Sequence, residues 1–176
     1  MKRILVTGVS GTGKTTLSRE LKRMGYAAYD IENIKGLFTL VDRKTRNPVL
    51  NHDNQDVEKV RRVDWFCDIR KIQKLIASEK SELSFYCGFA HNLHEISPFF
   101  DRIFMLSASK KTIYKRLATR TSSDFGRNKD VRNLILRSKS KEEKKLRQLG
   151  AVPVRTTGDV RQTARTVVKK AKRRSL

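Results

Sequence analysis

The sequence predicts a three-layer α/β/α fold built on a parallel sheet of about five strands. Three observations predict it. Short apolar runs alternate with amphipathic stretches in the order strand, helix, strand, helices, strand, helix, strand, helix, the pattern of parallel strands joined by crossovers. The first strand runs straight into a glycine-rich turn that opens a helix. The 176 residues, 38% of them apolar, are enough for one domain, 1–176, with its own core.

Each element follows from its residues. Arg3-Ile4-Leu5-Val6-Thr7 is a short apolar strand. Gly8-Val9-Ser10-Gly11-Thr12-Gly13-Lys14-Thr15 is the glycine-rich turn, and Leu17, Leu21 and Met24 then recur at helical spacing until Gly25 closes the helix. Tyr26-Ala27-Ala28-Tyr29 is a second strand. Residues 31–56 are polar and irregular, with Gly36, Asn47-Pro48 and Asn51-His52-Asp53-Asn54. Val57, Val60, Val63, Phe66, Ile69, Ile72 and Ile76 predict one long helix, so that 31–80 forms an insertion and helix within the domain. Trp65, the single tryptophan, is expected to pack on that helix against the sheet, with stacking on a ligand as the alternative. Leu83-Ser84-Phe85-Tyr86-Cys87 and Arg102-Ile103-Phe104-Met105-Leu106 are the third and fourth strands. A polar stretch at 119–130 follows the next helix, and long polar loops in compact domains commonly act as lids. Ala151-Val152-Pro153-Val154 is a short fifth strand, placed at an edge by Pro153. The final helix sets Val160, Ala164, Val167, Val168 and Ala171 on one face. Its other face carries Arg161, Arg165, Lys169 and Lys170, and Lys172, Arg173 and Arg174 follow.

Composition narrows the classes of function. No apolar run approaches the ~20 residues of a membrane span, and a strand that begins almost at Met1 leaves no room for a signal peptide. Cytoplasmic residence without a membrane partner is the expectation, with Cys67 and Cys87 as free thiols. Forty Lys and Arg against eighteen Asp and Glu give a net charge of +22. A field of that sign draws polyanions, which makes non-specific nucleic-acid binding an expectation, with a generally solvated basic surface as the alternative.

The turn carries the chemistry. Residues 8–15 fit the spacing G-x-x-x-x-G-K-[ST]. Gly8, Gly11 and Gly13 let the backbone curl so that the N–H groups of Ser10, Thr12 and their neighbours surround a phosphate chain at the helix N-terminus. The spacing assigns Lys14 to the β/γ-phosphates of a nucleotide, Thr15 to Mg²⁺ through its hydroxyl, and Thr16 to the close of the cradle. ATP and Mg²⁺ are the ligands it implies. Asp30 ends the second strand, where ligands bind in open α/β sheets. There it would orient an acceptor hydroxyl or hold a Mg²⁺ water, with a helix N-cap as the alternative. Glu32 is read either as a second functional acid or as a solvated first-turn acid of that helix, and Asn92 either as facing phosphate or as a loop cap.

The order of these features resembles the nucleoside-monophosphate-kinase and shikimate-kinase branch of P-loop proteins. Arg116-Leu117-Ala118-Thr119-Arg120 is similar to the R-x-x-x-R that begins an adenylate-kinase-type lid. The resemblance implies that Arg116 stacks on adenine, Arg120 contacts phosphate and Arg127 is a further lid arginine. It also implies that 31–80 binds the acceptor. Three stretches, Val63 to Asp68, Cys87 to Asn92 and Arg116 to Arg127, are similar to small bacterial proteins described as AAA family ATPases or kinase-like. The chain departs from the pattern at Gly88, where a Mg²⁺-binding aspartate usually ends the third strand. It departs again at Asp30-Ile31-Glu32, where the shikimate type has two aspartates. No arginine follows at the shikimate carboxylate position, which argues against shikimate. The expected function is transfer of the γ-phosphate of ATP to a small acceptor, a nucleotide or hydroxyl metabolite. The alternatives are a nucleic-acid-associated NTPase and an ATP-binding protein with little turnover.

Overall fold

A computed structural model describes residues 1–121, 123–156 and 158–173. Ser122 of the expected lid and Arg174 of the basic tail lie outside them. Five strands form one parallel sheet: β1 (Lys2–Thr7), β2 (Ala27–Asp30), β5 (Leu83–Cys87), β6 (Arg102–Ser107) and β7 (Val152–Arg155), in the order β2-β5-β1-β6-β7. Pro153 sits in β7 at an edge, where its missing N–H costs no ladder bond.

Two helical layers cover the sheet. On one face, Ile4, Val6, Phe85 and Phe104 meet Leu17 and Leu21 of α1 (Lys14–Arg23) and Ala164, Val167 and Ala171 of α7 (Val160–Lys172). On the other, Leu5, Tyr86 and Met105 meet Ile72 and Ile76 of α3 (Ile69–Ser78), Leu93 and Ile96 of α4 (Leu93–Ile96), and Leu146 of α6 (Lys129–Gln148). Alternate strand residues therefore point to opposite layers, as a sheet covered on both faces requires. Cys67 and Cys87 are both buried free thiols, and burial pushes the Cys67 thiol up to about 12. Among the described residues no helix is long and apolar enough to cross a membrane.

The long helix expected over 57–76 is not there. The chain instead forms α2 (Val57–Arg62), a strand β4 (Val63–Cys67) and then α3. β4 pairs antiparallel with β3 (Phe38–Asp42), so the insertion, expected to be irregular, contains a two-stranded sheet. The physical reason lies in the spacing. From Val57 to Ile72 the apolar residues recur every three positions, and at 100° per residue such a stripe rotates off a helix face. Val63, Trp65 and Phe66 are strand formers, and Phe38 stacks on Trp65 at 5.2 Å between ring centroids. Asp56 and Asp68 each accept backbone N–H bonds as N-caps and restart the helices on either side.

The polar stretch after α5 (Lys110–Ala118) is likewise followed by a twenty-residue helix, α6, that the alternating pattern leaves unmarked. The stretch itself is anchored by more than polar contacts. Phe125 packs near Leu117 and Ile135, and Asp124 accepts bonds from Asn54 and Gln55 of the insertion.

One hydrogen-bonded carboxylate predicts an acid limb for stability. Tyr29 donates its hydroxyl to Glu79, which also accepts from the N–H of Ser81 at 2.7 Å. Tyr29 is the main cause that holds the Glu79 carboxyl down to about 2, from an ordinary 4.5. A depressed carboxyl contributes stability above its unfolded value and loses it as pH falls through the folded one. Denaturant unfolding between pH 4.5 and 2 should therefore show a loss that Glu79→Gln flattens. An unchanged slope in that variant would assign the acid limb to other carboxyls.

Candidate nucleotide and acceptor site

The carboxyl ends of all five parallel strands gather at one edge of the sheet, and the glycine-rich turn leaves β1 between β5 and β6. The chain leaves β1 toward β2 on one side, while β5 connects to β6 on the other, which opens a crevice there. A cleft of about 1700 Å³ occupies it. A small-molecule site usually takes ~300–1,000 Å³, so this cleft is larger than a single such site.

The turn is built as its sequence requires. Gly13 has φ 101° at the N-cap of α1 and Gly8 has φ 144°. A side chain on Gly8 would stand 2.6 Å from the carbonyl oxygen of Leu106, so only glycine fits against β6. Thr12 Oγ1 donates to the carbonyl of Val9 at 2.8 Å and ties the curl together. Lys14 is buried, and its Nζ donates to the Gly8 carbonyl at 2.8 Å. Ser10, Gly11, Thr15 and Thr16 line the same cleft.

The acidic group nearest Lys14 is Glu32. Its Oε1 lies 3.4 Å from Lys14 Nζ and accepts the N–H of Phe89 at 2.9 Å. Gly88 explains the arrangement. A Cβ there would stand 2.4 Å from Ile31 Cγ1 and 3.2 Å from Glu32 Cγ. The position where a third-strand aspartate would project is therefore filled by the turn after β2, and that turn delivers Glu32 instead. Asp30 pairs across the sheet with Cys87, lines the cleft and accepts from Asn33 Nδ2 at 2.8 Å. It occupies the N-cap position of the 3-10 turn Ile31–Asn33 but makes no side-chain cap bond.

The arginines divide into two groups. Arg116 reaches the carbonyls of Gly11 and Thr12, both at 3.4 Å, and the Thr156 carbonyl at 2.6 Å, so it clasps the turn to the exit of β7. Burial pulls its guanidinium below the usual range. Arg120 donates to Ser10 Oγ at 3.1 Å and to the Phe125 carbonyl at 3.4 Å, which joins the polar stretch after α5 to the turn. Arg127 is exposed and bonds the carbonyls of Arg120 and Thr121. It stays with the backbone of that polar stretch, and no bond joins it to Lys14.

A hairpin of β3 and β4 walls the far side of the cleft. Trp65 and His91 exchange bonds: the Trp65 N–H donates to His91 Nδ1 at 2.8 Å, and the His91 N–H donates to the Trp65 carbonyl at 2.8 Å. Burial lowers the His91 pKa against the pull of Asp64. Asn92, fully buried, donates to and accepts from the backbone of Cys67. It braces the hairpin and does not face phosphate, because it is buried away from the cleft lining. Buried Asp64 forks to Arg43 and Arg46, each at 2.9 Å, and Arg43 lines the cleft.

Glu32 carries more of the site than a first-turn acid would, and the Asp-x-Glu spacing beside a glycine at position 88 is the signal in the sequence that points to it. The Arg43–Asp64 pair has no such signal, because it depends on a hairpin that the apolar spacing does not reveal.

Comparison with known proteins agrees with this architecture. A family model described as an AAA domain matches residues 4–142. No curated protein matches the sequence. Among solved structures, a shikimate kinase from Acinetobacter baumannii in complex with shikimate superposes with a TM-score of 0.60 at 17% identity, covering 97% of this chain and 92% of that one. A deoxyadenosine kinase from M. mycoides with bound dATP gives 0.54 at 16% identity, over 96% and 98% of the two chains. A gluconokinase from Sinorhizobium meliloti 1021 gives 0.52 at 16% identity, over 97% and 91%. At these identities the likeness is one of fold: a five-stranded parallel sheet flanked by helices, as in P-loop kinases.

Proposed function

The chain belongs to the AAA domain family, and from that premise and the geometry of its cleft we propose that it moves the γ-phosphate of ATP to a small acceptor. The observation that carries the proposal is the convergence of Lys14, Glu32, Arg116 and Arg120 on one glycine-rich turn. Phosphoryl transfer needs positive charge around the migrating group and a positioned nucleophile, and little covalent help. Lys14 and Arg120 supply the charge, and Arg116 fixes the turn and the nucleotide side of the cleft. Arg127 tethers the lid that carries Arg120.

Hard oxygen donors suit Mg²⁺, which keeps most of its waters and takes few protein ligands. Thr15, with Asp30 or Glu32 through water, fits that requirement. When bound, the ion neutralises charge on the phosphates. Asp30 orients the acceptor. An acceptor hydroxyl oxygen forms a bond to the γ-phosphorus as the bond to the β-phosphate oxygen breaks, ADP leaves, and the hydroxyl proton passes to the Asp30 carboxylate. The hairpin of Trp65 and Arg43 supplies the acceptor wall, with an aromatic face and a cation.

A panel of nucleotides and hydroxyl metabolites, assayed for ATP-dependent ADP formation with and without RNA, tests the proposal. One class of small acceptor should raise turnover well above the acceptor-free rate. Stimulation by RNA alone would replace the reading with a nucleic-acid-associated NTPase.

A further inference from the structure

The outer face of the α1/α7 layer is strongly one-sided in charge. The two helices pack side by side on the same face of the sheet. α1 presents Arg19, Lys22 and Arg23 to solvent, and α7 presents Arg161, Arg165 and Lys169. α1 has a single acid and α7 has none. That acid, Glu20, is buried and bonded by Arg23 at 2.6 and 2.9 Å. The charges of Arg161 and Arg165 also reach Glu20, so the cations of the two helices share one field. Asp159 is engaged as the N-cap of α7.

The row continues at both ends. At one border, Arg19 and Lys22 of α1 line the nucleotide cleft. Toward the other end, Lys172 stands over the Tyr26 ring at 5.6 Å, and Lys2 Nζ bonds the carbonyls of Ala171 and Arg173 at the close of α7. Cations thus run the length of the layer with no free carboxylate among the described residues of either helix.

We propose that the α1/α7 face is a binding surface for the phosphate backbone of a nucleic acid, running up to the mouth of the nucleotide cleft. Charge complementarity chooses the occupant: a row of cations on a rigid two-helix platform matches a row of phosphates. An anionic membrane is the other polyanion. Interfacial helices insert Trp, Phe or Leu beside their cations. The large apolar side chains exposed among the described residues are Met1, Leu50, Tyr114 and Val152, none on α1 or α7. Sequence-independent binding is expected, since neither α1 nor α7 carries an aromatic residue on which bases could stack.

The surface is separate from the phosphotransferase reading, and Lys14→Ala should leave it intact. Fluorescence anisotropy of a short labelled single-stranded RNA, titrated at several salt concentrations, tests it. The comparison is between Arg161→Glu/Arg165→Glu and Arg70→Glu/Lys74→Glu. The second pair is equally exposed and removes the same charge from α3 on the opposite face of the sheet. The α7 pair should weaken binding tenfold or more and flatten the slope of log affinity against log salt by roughly 0.7 for each phosphate no longer neutralised. The α3 pair should change affinity less than threefold. Because Glu near Glu20 risks misfolding, Arg161→Gln/Arg165→Gln, checked by thermal melting, should weaken binding in the same sense. Equal weakening by the α7 and α3 pairs would overturn the proposal in favour of attraction by net charge alone. So would binding to anionic vesicles without binding to RNA.

Discussion

Replacing Lys14 by alanine should lower ATP affinity by about tenfold to a hundredfold and remove ATP-dependent phosphoryl transfer. Lys14 is buried at the start of α1, with its ammonium held between the Gly8 carbonyl and Glu32. A charge-assisted contact of that kind is worth ~1.5–3 kcal/mol. Alanine keeps the helix and the curl of the turn, because neither Gly8, Gly13 nor the Thr12–Val9 bond depends on the lysine side chain. Titration calorimetry with ATP checks it. Equal affinity in the two proteins would move the nucleotide away from this turn.

Glu32→Gln should reduce turnover by about a hundredfold to a thousandfold, the scale for losing one preorganised electrostatic group. ATP affinity should stay within a few-fold. Glutamine retains an oxygen for the Phe89 N–H and removes the negative charge beside Lys14. The split between kcat and KM is the informative readout, because a residue that only propped up Lys14 would alter nucleotide binding instead. The prediction rests on packing as much as on charge. Ile31 fills the space above Gly88, so β5 can offer no carboxylate of its own, and the chain supplies one from the turn after β2. Full turnover in Glu32→Gln would leave Asp30 as the carboxylate that matters.

How legible each part of the site is in the sequence depends on how local that part is. The turn at 8–15 is written in consecutive residues, and its strand and helix flank it directly, so its geometry follows from spacing. The basic outer face and apolar inner face of α7 follow from 3.6-residue periodicity. The segment after α5 is visible as a polar stretch, but its anchorage is not, because Phe125 docks onto residues from α5 and α6. The hairpin is hidden because its three-residue apolar repeat imitates a helix. Only pairing with Phe38–Asp42, more than twenty residues upstream, gives Val63–Cys67 its partner.

By itself the sequence determined the glycine-rich turn between β1 and α1, the alternation that builds a parallel sheet between two helical layers, and the side of α7 that meets it. These rest on short-range periodicity, glycine placement and capping, which act within a few residues. Tertiary structure alone decided that Glu32 meets Lys14, that Asn92 braces Cys67, that Arg127 turns back on its own polar stretch, and that the cations of α1 and α7 merge into one face. Each of these except the Arg127 contact joins residues from separate elements, and which side chains meet is set by strand order and close packing that no local pattern encodes.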